Sequence, residues 1–533
     1  MNKISRARVL AVAGLALVTA LAGCTSKGQS SKQATVAPGQ LNIAYEADAT
    51  SLDPGQVTDI NTMHVLVQVY DTLVRWGPSG QLTASLATSW VESPNGLKYT
   101  VTLRKGVRFS DGTALTAKDV AFSFNRMLQD QVPGAQYGPF PFGKFFYGEV
   151  ANVKALTVDE VEFDLSSADA GFLQTLTTPT AEIVNSALAL RLGKTFALQG
   201  GGTGAFTLAR WQRGSQLVLK PNPHYWGSKT SLRLVAFIPV TDASQRVTDL
   251  QAGTVSLAVS PQPSSVPKLK KSGYSLAQAP GPHVWWIGLN VSKPPLNKPL
   301  VRQAMNYAID RNAIVNGLLY GTATASSQPI SAGLPGHAPQ VTEYKYNPAK
   351  AKELLKQAGY ANGFSVKLFA PTSGSGMQDP VGMGTAIQAY LAAVGIKVKI
   401  SEYDWGTYLN KVNAGAAASG MDMWELSWMN TAVDPSLILG PLFSKSSWPP
   451  GFNSGFYYNP QVDKALSDGL AEKNPTARMA LYQKASQMIN GDAPWIFVDN
   501  GKAVYALNSQ VHGLTLSKSM PFILYNLNEV TVQ

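Results

Sequence analysis

The 533-residue sequence has one cysteine and few charged residues, and both shortages narrow the possibilities. A single thiol cannot form a disulfide within the chain. Charged residues make up only 14% of the sequence, and the densest basic run is Lys268-Leu269-Lys270-Lys271. Such a run is too short to follow a phosphate backbone. We therefore expect no nucleic-acid partner.

The sequence also lacks the common motifs of catalysis and metal binding. Its five histidines show no spacing of two or four residues that would favour zinc. A Gly-x-Ser-x-Gly motif is absent, and Gly200 to Gly204 does not have the spacing of a dinucleotide-binding loop. We expect no enzymatic activity, no cofactor and no metal held by side chains alone. A metal or haem held through a small chelator stays open.

Long apolar runs are missing after the N-terminus, so the body of the protein is predicted not to enter a membrane. The one clear run, from Val9 to Leu21, follows Lys3, Arg6 and Arg8. It is too short to span a bilayer and has the form of a secretory signal.

This run ends in Leu21-Ala22-Gly23-Cys24, which resembles the lipobox of bacterial lipoproteins. The resemblance implies that residues 1–23 are removed and that Cys24 is acylated as the first residue of the mature chain. The lipid would anchor the protein at the outer face of the bacterial cell membrane or in the periplasm. The alternative is a buried, inert cysteine.

What the sequence has in abundance is apolar content, at 45%, which predicts a large core and more than one lobe. Residues 24–40 lack bulky apolar side chains and predict a flexible tether. Beyond them, helix starts of the Asn-Pro type stand at Asn347, Asn459 and Asn474, and Thr116 with Asp119 forms a capping-box pattern. Strand patterns alternate from Lys98 to Phe109 and in a pair, Val153 to Val158 and Val161 to Leu165, with Asp159-Glu160 between them. This mixture predicts an α/β fold.

An ordered set of motifs resembles the family 5 extracellular solute-binding proteins of ABC importers, which include peptide and nickel binders. The resemblance spans about residues 41–500 and rests on these segments: Leu52-Asp53-Pro54, Val69 to Leu73, Ser85 to Trp90, Tyr99 to Gly112, Gly202 to Phe206, Asn222 to Gly227, Asn290, and Val301 to Arg311.

The resemblance implies a two-lobed clamp of the periplasmic-binding type, in the large form with an extra subdomain. The implied units are lobe I (41–70, 196–287 and 505–533), an inserted subdomain (71–195) and lobe II (288–504). The chain would cross between lobes near Leu289-Asn290 and Val498-Asp499-Asn500.

The resemblance further implies a monomeric receptor that captures an extracellular solute between the lobes and delivers it to an ABC permease. An oligopeptide or dipeptide is the leading ligand, and an oligosaccharide or metal chelate is the alternative within the family. A cell-wall hydrolase or a signalling receptor is the alternative outside it.

Candidate ligand contacts come first from aromatic residues, because a clamp needs apolar walls. Trp428 and Trp405 are the first choices, although most aromatic side chains pack in cores. In peptide-binding relatives an aspartate stands three residues after the tryptophan corresponding to Trp428 and pairs with the ligand's α-ammonium group. Here that position is Thr431, whose neutral hydroxyl cannot supply a countercharge.

Asp434, Met63 and Asn61 complete the set of candidate ligand contacts. Asp434 precedes Pro435, a pattern that favours a helix N-cap over a ligand contact. Met63 stands at a spacing before Tyr70 that contacts ligand in some relatives, but methionine also fills gaps in cores. Arg302 is interpreted as a structural ion pair rather than a clamp for a carboxylate.

Overall fold

The computed structural model describes residues 37–77, 80–374 and 376–533. The proposed signal segment 1–23, Cys24 and all but the last few residues of the tether lie outside these ranges. No helix in the described ranges has the length and apolar content that crossing a bilayer requires.

The strands of the described chain carry a mixture of parallel and antiparallel pairings. They are β1 Gln40–Tyr45, β2 Val74–Trp76, β3 Leu82–Ala84, β4 Ala87–Glu92, β5 Lys98–Leu103, β6 Val150–Ala155, β7 Glu160–Leu165, β8 Phe206–Gln212, β9 Gln216–Pro221, β10 Leu234–Pro239, β11 Leu257–Val259, β12 Ser275–Pro280, β13 His283–Leu289, β14 Ala323–Ala325, β15 Phe364–Pro371, β16 Ile396–Tyr403, β17 Met423–Met429, β18 Trp495–Leu507, β19 Val511–His512 and β20 Thr531–Val532.

The helices cover these strands and are concentrated in the second half of the chain. They are α1 Ile60–Val69, α2 Ala117–Leu128, α3 Gly143–Tyr147, α4 Phe172–Thr175, α5 Ser186–Leu192, α6 Phe196–Gln199, α7 Ala243–Ala252, α8 Val266–Lys271, α9 Pro299–Tyr307, α10 Arg311–Ala313, α11 Pro348–Gln357, α12 Pro380–Ala392, α13 Trp405–Asn413, α14 Gly415–Ser419, α15 Ser436–Phe443, α16 Pro460–Ala471 and α17 Pro475–Asp492.

The helix starts predicted from Asn-Pro pairs are confirmed. Asn347, Asn459 and Asn474 each accept a hydrogen bond from a backbone N–H in the first turn of α11, α16 and α17. Proline follows each cap because its missing N–H would have no partner there. The strand predicted from Lys98 to Phe109 is shorter, since β5 ends at Leu103 and a turn follows at Gly106 with φ of +80°.

One large sheet connects both halves of the molecule. Its order in the described chain is β16-β15-β17-β13-β18-β11-β1-β10-β9-β8, with β12 and β14 also paired to β18. The first half of β18 pairs with β13 and β14, and its second half pairs with β12 and β11. Strand β18 therefore runs from one lobe into the other.

These pairings correct the positions expected for the two crossings. Strand β13 begins at His283 and pairs with β17 over its whole length, so residues 283–287 belong to the second lobe. The first crossing is consequently at Gly281-Pro282, before β13, and not near Leu289-Asn290. The second crossing is at Gly501-Lys502, directly after the expected stretch, because Lys502 already pairs with Pro280.

Each lobe has its own apolar core. Leu41, Ile43 and Phe237 belong to the cluster of the first lobe, whereas Ile287 and Leu368 belong to that of the second. A separate cluster lies between α2 and the four-stranded sheet β4-β5-β7-β6, which forms the subdomain. Three cores of this kind allow the units to move relative to one another.

The subdomain is tied to the first lobe through a motif that the sequence singled out. Arg126 of α2 donates to Asp53 with an Nη1 to Oδ2 distance of 2.8 Å, and both side chains are 2% exposed. Tyr70 donates to the Leu52 carbonyl at 2.7 Å. The Leu52-Asp53-Pro54 motif thus has a structural role at this junction.

The glycines of Gly202-Thr203-Gly204 are required by close packing. A Cβ on Gly202 would lie 2.3 Å from the Val69 carbonyl oxygen, and one on Gly204 would lie 2.5 Å from the Val69 carbonyl carbon. Thr203 between them donates to Asp71 at 2.7 Å. No larger residue fits here without moving the end of α1.

Candidate functional site between the lobes

A cavity of about 40 Å³ lies next to the two crossings and receives residues from both lobes. The first lobe contributes Glu46, Ile60, Ser260 and Phe522, and the remaining walls come from the second lobe and the crossing strand. Those walls are His283, Trp285, Leu319, Ala323, Gly376, Met377, Gln378, Asp499, Gly501 and Lys502. A space lined by both lobes changes shape when the lobes move, which is the property that a ligand-binding clamp needs.

The two crossings are hydrogen-bonded to each other at this cavity. The Gly501 N–H donates to His283 Nδ1 at 3.3 Å, and Asn500 Nδ2 donates to the His283 carbonyl oxygen at 2.9 Å. Burial lowers the pKa of His283 to about 4, so the ring is neutral at physiological pH. His283 therefore joins the crossings without adding a charge.

Asp499 is the most unusual group of the cavity. Its side chain is 1% exposed, and neither carboxyl oxygen has a hydrogen-bond partner among the described residues. Burial raises the pKa of Asp499 to about 8. A carboxyl group in this environment stays protonated at neutral pH unless a cation approaches it.

Elsewhere on the interlobe surface, aromatic side chains of the subdomain and the second lobe meet. Phe145 of α3 lies with its ring centroid 5.9 Å from that of Trp428 and 5.6 Å from that of Phe452. Trp428 and Phe452 are 5.3 Å apart. Trp428 is thus part of a contact between units, which we call the aromatic contact, and it does not line the hinge cavity.

The segment that follows Trp428 also touches the first lobe. Val433 adopts a φ of +58° and packs into the apolar cluster of the first lobe. This conformation is strained for a β-branched residue, so the surrounding contacts hold it in place. Thr431 is buried in the same segment.

Asp434 is already paired inside the protein. Its two oxygens accept hydrogen bonds from Arg478 at 2.7 and 2.9 Å, and Ser436 donates from its N–H at 2.9 Å. Both partners of the ion pair are nearly buried, at 2% for Asp434 and 5% for Arg478. Asp434 therefore stabilises the start of α15, and its role as a ligand contact stays a prediction.

The remaining candidate ligand contacts are Met63, Asn61 and Trp405. Met63 and Asn61 are 4% and 6% exposed on α1, whose first residue Ile60 lines the cavity. Trp405 begins α13, stacks on Tyr408 at 5.8 Å and is not one of the residues that line the cavity. Ligand contact by Met63, Asn61 and Trp405 therefore stays a prediction.

The partners of Arg302 differ from the expected ion pair. It makes no ion pair within the described chain and instead donates to backbone carbonyl oxygens of Leu296, Asp492 and Ala493 at 2.9 to 3.2 Å. Its side chain is only 5% exposed. The residue is structural, as interpreted, but its partners are main-chain groups because the ends of neighbouring elements converge there.

Three residues of the site were not selected from the sequence. Asp499 and Trp285 line the cavity, and Phe145 makes the aromatic contact. The run Phe140-Pro141-Phe142-Gly143-Lys144-Phe145-Phe146 is a usable clue, since exposed aromatic clusters favour contacts between units. No clue of this kind marks Asp499, because burial of a single carboxylate leaves no pattern in the sequence.

A larger groove of about 720 Å³ is lined by second-lobe residues alone, among them Trp448, Tyr458 and Asp492. Closing the lobes cannot cover it, because no first-lobe residue contributes to its walls. We therefore do not assign it as the clamp's ligand site.

Two lobes joined by paired crossings, with a cavity beside them, define a solute-binding clamp. The chain belongs to family 5 of the bacterial extracellular solute-binding proteins, whose family model matches residues 81–450. It is accordingly the substrate-binding protein of an ABC importer, and its family is a transport family, not an enzyme family.

Relatives match nearly the whole chain. The glutathione-binding protein GsiB of Pectobacterium atrosepticum is 30% identical over 492 residues, covering 91% of this chain and 93% of its own. The periplasmic binding protein DppA of Helicobacter pylori, solved with the peptide STSA, is 31% identical with a TM-score of 0.81, covering 92% and 98%. A dipeptide-binding protein of Pseudoalteromonas sp. SM9913, solved with Met-Leu, shares the fold at 24% identity and a TM-score of 0.81, covering 93% and 100%.

Proposed function

We propose that this solute-binding protein captures a short peptide between its lobes and presents it to an ABC permease. The observation that carries the proposal is the hinge cavity, which both lobes line and which contains a buried acidic group. The similarity to relatives named for glutathione and peptide binding supports the peptide class.

The physical basis is a difference in affinity between the open and closed arrangements. A ligand that contacts both lobes favours the closed state only by the contacts that the open state lacks. The hinge cavity supplies polar groups for such contacts, and the aromatic contact supplies apolar area between the subdomain and the second lobe. Because Phe145 and Trp428 belong to different units, their contact favours the arrangement in which the subdomain and the second lobe lie together.

The proposal is tested on the purified mature chain after unfolding and refolding, which removes ligand retained during purification. Glutathione, Met-Leu and Ser-Thr-Ser-Ala are compared with oligosaccharides and a nickel–histidine chelate by thermal shift and calorimetry. A peptide that binds the native state raises the melting temperature in proportion to RT ln(1 + [L]/Kd). Stabilisation by an oligosaccharide or the chelate alone would reject the peptide class.

Two controls address the alternatives outside transport. Turnover of a cell-wall substrate by the purified protein would favour a hydrolase. Uptake of a labelled peptide that persists in a strain lacking the gene would favour a signalling receptor.

We further propose that Cys24 carries the lipid anchor, and that the mature protein works as a monomer at the outer face of the cell membrane or in the periplasm. Several acyl chains give durable anchoring, whereas one does not. Labelling with radioactive palmitate should mark the wild-type protein and not the Cys24→Ser variant, which should be released from membranes. Membrane association of the unlabelled variant would contradict the anchor.

A further inference from the structure

The hinge cavity contains a buried carboxyl group whose partner is missing from the protein itself. Asp499 is 1% exposed and lines the cavity, and neither of its oxygens is hydrogen-bonded within the described residues. Leaving an ionised carboxylate buried and unpaired costs several kcal/mol. Such a group is retained either as a neutral acid or as one half of a pair that a ligand completes.

Neighbouring cationic side chains do not supply the other half. Lys502 lines the same cavity but donates its Nζ to the Gly321 carbonyl oxygen at 2.9 Å. Arg246 is turned toward backbone carbonyl oxygens, including that of Ser260 at 2.6 Å. His283 is neutral and accepts from Gly501. Glu46 also lines the cavity, but it is an acid and supplies no positive charge to Asp499.

The remaining acids near the interlobe surface are not available to a ligand. Asp434 is held by Arg478 through two hydrogen bonds. Glu425 is completely buried on β17 and its carboxyl oxygens also have no hydrogen-bond partner within the described residues, but it does not line the cavity. Thr431 has no charge. Asp499 is left as the buried acid that faces a space open to both lobes.

We propose that Asp499 is the countercharge for the ammonium group of an amine-bearing ligand, a peptide with a free amino group, bound between the lobes. This inference rests on the proposed peptide-binding function and names the ligand group that the site selects. The cavity of about 40 Å³ admits about three water-sized groups, since each needs at least about 10–15 Å³. A primary ammonium group is about the size of one water molecule and fits this space. The cavity therefore holds the amino end of the ligand, and the rest of the ligand continues along the interlobe surface.

Binding of this kind moves a proton. Without ligand at pH 7 the carboxyl of Asp499 is protonated, because burial raises its pKa to about 8. An ammonium group at hydrogen-bond distance favours the carboxylate, so the acid proton passes to the buffer while the ligand keeps its own. Each binding event should release about one proton.

The experiment uses the refolded, ligand-free full-length mature chain and a pool of di- to tetrapeptides, offered with free amino groups or after N-acetylation. The free-amine pool should stabilise the wild type in thermal-shift assays, and acetylation should abolish the shift. For the tightest-binding peptide of the pool, Asp499→Asn should weaken binding at least about 30-fold, as removal of one partner of a buried charged pair does. Glu425→Gln is the matched control, a buried acid on the neighbouring strand, and should bind like the wild type.

A second measurement does not depend on any variant folding. Calorimetry of the wild type in phosphate and in Tris at pH 7 should give binding enthalpies that differ by the buffers' ionisation enthalpies, which corresponds to release of about one proton. Binding unaffected by acetylation, or by Asp499→Asn, or without proton release, would overturn the role of Asp499 while leaving peptide binding intact. If no peptide binds, or only oligosaccharides or chelates do, both the proposed function and this inference fail.

Discussion

Asp434 and Asp499 are equally buried, at 2% and 1% exposure, yet their surroundings differ completely. Asp434 lies near the subdomain and has a permanent partner in Arg478, whereas Asp499 lies at the hinge and has none in the described chain. The surroundings of Asp434 are thus electrostatically complete before any ligand arrives, and those of Asp499 are not. The comparison teaches that burial alone does not distinguish a structural acid from a candidate binding group.

The surroundings of Asp434 strengthen the contrast. A Cβ on Gly171 of the subdomain would lie 3.0 Å from Arg478 Nη2, so the subdomain packs directly over the ion pair. Nearby, the Ala170 N–H donates to the Leu470 carbonyl oxygen at 3.3 Å. The surroundings of Asp434 are built from contacts within the protein, whereas the hinge cavity retains a group that has no partner in the described chain.

The largest expected effect is on folding, from Asp434→Asn. Removing the carboxylate leaves the buried Arg478 guanidinium without its countercharge, which should lower the free energy of unfolding by about 3–5 kcal/mol. Urea denaturation followed by circular dichroism measures it, with Asp499→Asn as the matched control. A loss below about 1 kcal/mol would show that the pair is not needed and would weaken the comparison.

The second effect is on the pH dependence of stability, from Asp499→Asn. The raised pKa means that the stabilising contribution of the protonated group is complete below about pH 4, the unfolded value, and is lost as pH rises through about 8. Between these limits the wild type should lose up to about 1.4 kcal/mol per pH unit relative to the variant. Urea titrations at pH 5, 6, 7 and 8 give the difference.

Parallel pH curves for the two proteins would mean that Asp499 ionises in the folded chain without cost. In that case the contrast between the two acids would disappear.

A third, smaller effect concerns the aromatic contact, through Phe145→Ala. Loss of the contacts with Trp428 and Phe452 should weaken closure by about 0.5–1.5 kcal/mol, a two- to tenfold rise in the Kd of the bound peptide. Calorimetry measures it, and Phe142→Ala is the control because Phe142 makes its ring contacts with Phe145 and Phe146, inside the subdomain, and with no aromatic ring of the second lobe among the described residues. Equal rises in Kd for both variants would show that the lost binding energy comes from packing within the subdomain and not from the contact between units.

The smallest effect on ligand affinity is expected from Lys473→Ala, at the boundary between the subdomain and the second lobe. Lys473 pairs with Glu92 across the subdomain boundary at 3.3 Å, with side chains 47% and 41% exposed. Exposed pairs of this kind contribute about 0–1 kcal/mol. A change in Kd of more than about fivefold would show that surface charge, rather than the buried pair and the aromatic contact, holds the subdomain against the second lobe.

Local features of the chain were predictable because they depend on neighbours in sequence. The capping box of Thr116 and Asp119 forms at the start of α2, with Thr116 N–H donating to Asp119 Oδ2 at 2.9 Å. The strand pair around Asp159-Glu160 forms as β6 and β7. The motif set also predicted the family and the clamp architecture, which the comparisons confirm.

The sequence by itself determined the helix starts, the strand patterns and membership of the family, since short-range hydrogen bonds and apolar periodicity are written in adjacent residues. Only the tertiary structure decided where the chain crosses between lobes and which acid acquires a partner. Arg478 reaches Asp434 from 44 positions away, and the walls around Asp499 come from segments as distant as Glu46 and Phe522. Burial and charge pairing depend on such distant neighbours, because desolvation is set by everything that surrounds a group and not by its place in the chain.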